Sequence, residues 1–164
     1  MGDRGESEQE MRPLSIISSV ALTLIILLVS NANGADGDAI LGFWSLTDGK
    51  AKFEFYKCGA EYCGKISYMS EPNYPSTEKH GLAGLPKVDV HNPDPLLRTR
   101  PLLGLPLIEG FRYIGGNRWE GGRIYNPEDG AKYRCKLWLD GENRLKVRGY
   151  IGFSLLGQTV TWVR

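Results

Sequence analysis

Between Asp89 and Gly104 the chain reads Asp-Val-His-Asn-Pro-Asp-Pro-Leu-Leu-Arg-Thr-Arg-Pro-Leu-Leu-Gly, which gathers an imidazole, two carboxylates, an amide and two guanidiniums in one short block. His91 with Asp89 and Asp94 could ligate a divalent ion or pair as general acid and base. Three prolines interrupt the block, and so broken a backbone seldom turns neighbouring side chains toward one point. Asn92 and Asp94 have a plainer use as N-caps of a short helix opening at Pro93 or Pro95, with Leu96 and Leu97 packing inward. Arg98 and Arg100 could grip a carboxylate or phosphate bidentately. They could equally anchor the block to carboxylates such as Asp89 or Glu109, or to carbonyls at the end of the helix. Glu109 shares a strand face with Leu107 and Phe111, and a carboxylate on an apolar face needs such a partner.

The other chemistry-bearing residues are few. The chain has two histidines and three cysteines. Cys58 and Cys63 flank Gly59-Ala60-Glu61-Tyr62 in an expected hairpin, where cross-strand partners lie within disulfide reach. A metal or redox pair would instead show Cys-x-x-Cys spacing and a second pair. Cys135 alternates with Arg134 and Lys136, which puts it on an apolar face as a small buried hydrophobe. There is no Gly-x-Ser-x-Gly elbow, no His-Glu-x-x-His and no phosphate-binding glycine loop. The balance moves toward binding, with no cofactor or metal expected and no catalytic residue assigned.

Nearly every segment that must position these residues alternates with period two, the mark of strands with one buried face. Eight are expected: Ile40–Leu46, Ala51–Cys58, Gly64–Met69, Leu105–Tyr113, Arg118–Tyr125, Ala131–Leu139, Arg144–Gly152 and Gln158–Arg164. Most joints are short and turn-rich, such as Asp48-Gly49, Gly115-Gly116 and Asn126-Pro127-Glu128-Asp129-Gly130. The exception is the long Pro- and Gly-rich excursion from Ser70 to about Gly104, containing the short helix, between the third and fourth strands. Eight short antiparallel strands favour an all-β, up-and-down barrel, because closure removes exposed sheet edges. A β-sandwich is the rival.

Two resemblances bear on this expectation. Asn92-Pro93-Asp94-Pro95-Leu96-Leu97-Arg98-Thr99-Arg100-Pro101-Leu102-Leu103-Gly104 resembles the hallmark block of a bacterial family of small exported proteins, domain of unknown function 2147. The likeness runs from about Ile40 to the C-terminus and takes in Tyr56-Lys57-Cys58, Cys63 and Gly149-Tyr150-Ile151-Gly152. It implies a fold and a compartment, and no activity. Separately, Gly42-Phe43-Trp44 resembles the Gly-x-Trp signature of the first strand in lipocalin-like barrels. That likeness implies an arginine from the last strand stacked beneath the tryptophan, and Arg164 is the matching candidate.

Leu14 to Val29 is an almost unbroken apolar run after Arg12, followed by the small-x-small site Ser30-Asn31-Ala32. That is the layout of a cleaved signal peptide, and the run is shorter than the ~20 residues of a spanning helix. Residues 1–32 are therefore expected to be removed, with Met11 as a cleaner start, 33–39 as a linker and 40–164 as one barrel domain. The rival is an inner-membrane anchor through 14–29. The formal net charge is +1, too mild to argue a nucleic-acid partner.

The favoured reading is a non-catalytic periplasmic barrel holding a small apolar or amphipathic molecule. Phe53, Phe55, Tyr133, Leu137, Leu145, Val147 and Ile151 would form its walls, and the 70–104 excursion its lid. His91, Asn92, Asp94, Arg98 and Arg100 are the candidates on the loop. The second reading is a packed barrel whose loop binds another envelope protein. The third is an enzyme acting through His91, Asp94, Arg98 and Arg100.

Overall fold

The computed structural model describes Gly2, residues 37–150 and residues 157–164. The apolar segment, its cleavage site and Ile151 lie outside the described residues. The domain belongs to the unit Asn33–Arg164. Its strands are β1 (Gly42–Leu46), β2 (Ala51–Cys58), β3 (Glu61–Met69), β4 (Pro106–Gly115), β5 (Arg118–Glu120), β6 (Arg123–Asn126), β7 (Ala131–Leu139), β8 (Arg144–Tyr150) and β9 (Gln158–Val163). All pair antiparallel with their neighbours in sequence, apart from the shared partners of β5 and β6, and β9 returns to β1 to close the ring. Both β5 and β6 lie between β4 and β7, so they are two halves of one barrel strand. The result is an eight-strand antiparallel barrel.

That divided strand replaces the continuous Arg118–Tyr125 read from the pattern, and the cause is local. At Gly122 a Cβ would stand 2.3 Å from the Phe111 ring, so the strand yields to a fully buried aromatic. The preceding hairpin turns at Gly116-Asn117, not Gly115-Gly116. Both residues have positive φ, 58° and 57°, the requirement of a type I′ turn. The first strand also starts two residues later than expected, because Gly37–Ile40 forms a 3-10 turn.

That turn plugs one end of the barrel. Trp44 Nε1 donates to the Ile40 carbonyl at 2.8 Å, Trp119 Nε1 to the Gly37 carbonyl at 3.1 Å, and Arg164 Nη2 to the Ala39 carbonyl at 2.8 Å. Lys57 and Tyr62 both reach Asp38, each at 2.8 Å. Burial, then the hydrogen bond to Asp38, pushes the Tyr62 hydroxyl up to about 12. Above the plug, Trp44, Phe53, Phe55, Ile66, Ile108, Phe111, Trp119, Leu137 and Leu145 form a continuous core. An eight-strand barrel has an interior just wide enough for side chains to fill, and the lower part here is filled.

Candidate ligand cavity and the loop lock

The inner face of the upper barrel is different. Along β7 and β8, Tyr133, Cys135 and Leu137 register beside Gly149 and Val147, while Lys132, Arg134, Lys136, Lys146 and Arg148 alternate with them and face outward. The inward positions of β8 carry smaller side chains toward the mouth, from Leu145 through Val147 to Gly149, where a Cβ would meet nothing closer than 3.9 Å. A cavity of about 890 Å³ results, lined among the described residues by Leu46, Ile124, Val147, Val160 and Trp162 below and by Asn126, Glu128, Asp129, Tyr133, Tyr150 and Gln158 at the rim. Its size suits the roughly 300–1,000 Å³ of small-molecule sites.

Trp162 divides the packed part from the open part. Its ring stacks on Phe53 with centroids 4.1 Å apart, so Phe53, Phe55, Leu137 and Leu145 are sealed beneath it. Of the seven wall candidates, Tyr133 and Val147 line the cavity, those four point inward but belong to the packed core, and Ile151 lies outside the described residues. Leu46, Ile124, Val160 and Trp162 were missed as lining residues. Their inward alternation is visible in the sequence, but the height at which packing stops is not. The Trp162 indole N–H is buried with no acceptor among the described residues. At the rim, Tyr133 donates its hydroxyl proton to Asp129, whose other oxygen accepts from the Ala131 amide at 2.9 Å. The Tyr133 bond, then that amide, holds the Asp129 carboxyl below its usual range.

No residue of the 70–104 excursion lines the cavity, so it is not a lid over it. The excursion packs on the outer wall instead, over Tyr125, whose register partner Lys132 faces outward. Asp89, fully buried, accepts from Tyr125 Oη at 2.6 Å, Asn92 Nδ2 at 2.8 Å, and Arg100 Nε at 3.0 Å and Nη2 at 2.9 Å. Burial pushes the Asp89 carboxyl up, but those donors and the Arg100 charge outweigh it and hold the group below its ordinary range. Arg98 Nε donates to the Asn92 carbonyl at 2.8 Å. Asp94 caps the 3-10 turn Pro95–Leu97 by accepting from the Leu96 amide at 3.0 Å. The segment is also pressed against the β6–β7 turn. At Gly130, φ is 71° and a Cβ would fall 2.0 Å from the His91 carbonyl oxygen, so only glycine fits.

The remaining residues of the block are placed differently from their sequence reading. His91 is exposed, and among the described residues no three His, Cys, Asp or Glu side chains are grouped to hold a metal. Leu96 and Leu97 do not pack inward; Leu96 is 87% exposed. Glu109 faces outward and pairs with Lys132 at 2.8 Å, not with either arginine of the block. Its inward reading fails because Gly110, with φ of 75°, introduces a bulge that puts Ile108 and Phe111 inside and Glu109 outside. A second groove, about 460 Å³ on the outer wall, runs past Glu61, Glu109, Arg112 and Arg123. Its carboxylates are already engaged by Arg112 and Lys132.

Cys58 and Cys63 are joined in a disulfide with Cα atoms 5.9 Å apart. They are diagonal rather than direct partners, since Cys58 registers with Glu61 and Cys63 with Tyr56. Cys135 is a buried thiol pushed up to about 12 by its burial.

The Arg164 guanidinium lies 3.9 Å from the centroid of the buried Trp44 ring. With an eight-strand closed meander and a 3-10 plug at one end, that stack defines the class as a lipocalin-like barrel. A solved structure, protein HP1028 from the human pathogen Helicobacter pylori, described as belonging to the lipocalin family, superposes with a TM-score of 0.60. It is 22% identical, and the match covers 76% of this chain and 81% of that one. The chain belongs to the family of uncharacterised proteins conserved in bacteria known as DUF2147, whose model matches residues 42–164. No curated protein sequence matches it.

Proposed function

We propose that this protein is an exported, non-catalytic carrier that holds a small apolar or amphipathic molecule in the mouth of its barrel. The observation that carries the reading is the cavity of about 890 Å³ standing open above a core that is otherwise closely packed. Eight-strand barrels divide between those filled by side chains and those enclosing one ligand, and this one is filled only below Trp162. The disulfide supports export, because such bonds persist in oxidising compartments. So does the apolar segment Leu14–Val29 with its small-residue site, and the periplasm is the compartment that fits both. Among the described residues no helix is long and apolar enough to cross a membrane.

The reading is tested by filling the cavity. Gly149→Phe projects a ring into open space on the inner face, at a strand position where no backbone strain opposes it. The variant is expected to keep its melting temperature and lose uptake of a neutral hydrophobic fluorophore that the native protein binds. Equal uptake by both proteins would contradict the reading. A second reading, docking of another envelope protein, draws on Leu96, Leu103 and Leu85 of the excursion, exposed by half or more. Replacing them with Ser leaves fluorophore uptake intact if the cavity is the working site.

A further inference from the structure

Resting on the reading of the cavity as a ligand site, we propose that its occupant is an amphipathic amine: a hydrocarbon body with an ammonium head held at the rim. The charges decide the sign. The two ionisable acids that line the cavity, Glu128 and Asp129, sit side by side on the β6–β7 turn, and no Lys, Arg or His lines it among the described residues. The basic residues of β7 and β8 are on the outer face, where Lys132 pairs with Glu109, Lys136 with Glu120, and Arg148 bonds Thr159. At the mouth end of β1 and β2, Lys50 is paired with Asp48. The connection 151–156 reads Ile-Gly-Phe-Ser-Leu-Leu and brings no charge.

A fatty acid would therefore bring its carboxylate to two like charges with no counter-ion among the described residues, at the edge of an apolar cup. An ammonium meets the opposite. The Glu128 side chain engages no partner among the described residues, and Asp129 keeps free lone pairs beyond its bonds to Tyr133 and Ala131. The Tyr133 ring stands at the same rim, bonded through its hydroxyl to Asp129, and an aromatic face beside carboxylates is the chemistry that recognises alkylammonium groups. The walls below, Ile124, Val147, Val160 and Leu46, would take the hydrocarbon.

Three probes with one chain and different heads separate the alternatives: dodecyltrimethylammonium, dodecanol and dodecanoate, each below its micelle concentration, titrated calorimetrically at neutral pH and low salt. The full-length protein is expected to bind the ammonium at least about tenfold more tightly than the carboxylate, a preference equivalent to about 1.4 kcal/mol. Glu128→Gln, which breaks no intramolecular bond seen in the structure, should shrink the ratio, and Glu128→Gln with Asp129→Asn should bring it close to one. Dodecanoate binding as tightly as the ammonium, or a ratio unchanged in both variants, overturns the inference. If all three bind equally and Gly149→Phe abolishes them all, the head-group inference falls while the cavity reading stands. If none binds, both fall.

Discussion

Asp89 is a buried carboxylate with four donors converging on it, and its energetics depend on all of them staying in place. Removing one donor to a buried charge costs about 1.5–3 kcal/mol, and the Arg100 side chain is about a third exposed, which argues for the lower end. Arg100→Gln is therefore expected to lower the melting temperature of the ligand-free protein. Arg98→Gln, losing one bond to a carbonyl, should lower it less, by the equivalent of about 0.5–1.5 kcal/mol. Unchanged melting for both would show that the arginines do not hold the block. The same carboxyl sets an acid limit. Its folded pKa lies below the value of about 3.9 for an unperturbed Asp, so on acidification the unfolded state takes up the proton first. Stability from this group is complete above that pH and is lost as pH falls through the lower, folded value. Chemical denaturation between about pH 5 and 2 should show a fall that Asp89→Asn, already weakened at neutral pH, no longer shows in that window. At the floor, Trp44→Ala should cost about 3–5 kcal/mol as a fully buried aromatic. Arg164→Ala should cost less and couple to it in a double-mutant cycle, strictly additive losses being the contrary result.

At the scale of elements, the ring is unevenly stitched. β7 and β8 share six register pairs and β8 and β9 six more, whereas β1 meets β9 only at Ser45–Val163 and Leu46–Trp162. The mouth half of β9, Gln158 to Val160, is exposed, and Val160 is among the cavity residues. Amides there should exchange faster than those of β7 under native conditions, and a ligand seated in the cup should slow them. Uniform protection around the ring would contradict this picture. The sequence pattern made most of these elements legible: the alternation in Ala51–Cys58 and Ala131–Leu139 matches the observed strands residue for residue. It misplaced what depends on three-dimensional packing. The Phe111 ring interrupts one strand at Gly122, and a plug of 3-10 turn forms over the expected linker and takes Ile40 from the first strand. The bulge at Gly110 reverses Glu109. None of these leaves a mark in a period-two count. The asparagine, aspartate and arginines of the Asp89–Gly104 block were legible as caps and anchors because such roles follow from side-chain chemistry over a few residues. The cavity lining was legible only in part, since inward alternation says which face a residue takes and not how high the core rises. Reduction of the Cys58–Cys63 bridge should destabilise modestly, below the roughly 3 kcal/mol of a 15-residue loop, because the hairpin it spans is short. Cys135 should resist thiol labelling until the protein unfolds.

Across the whole molecule, one end is closed by backbone carbonyls bonded to Trp44, Trp119 and Arg164, and the other holds an open cup under an acidic rim. The long excursion, which the sequence makes conspicuous, is locked to the side of the barrel and contributes no residue to the cup. A closed floor and a hydrophobic shaft above it are what a carrier needs, and they make occupancy of the cup the central claim. Native mass spectrometry of the protein purified from its own cells, beside Gly149→Phe prepared identically, tests that claim most directly. The account predicts a small-molecule adduct on the native protein that is released on denaturation and absent from the variant. A native protein that flies bare, and acquires no adduct when dodecyltrimethylammonium or dodecanol is added, would contradict it.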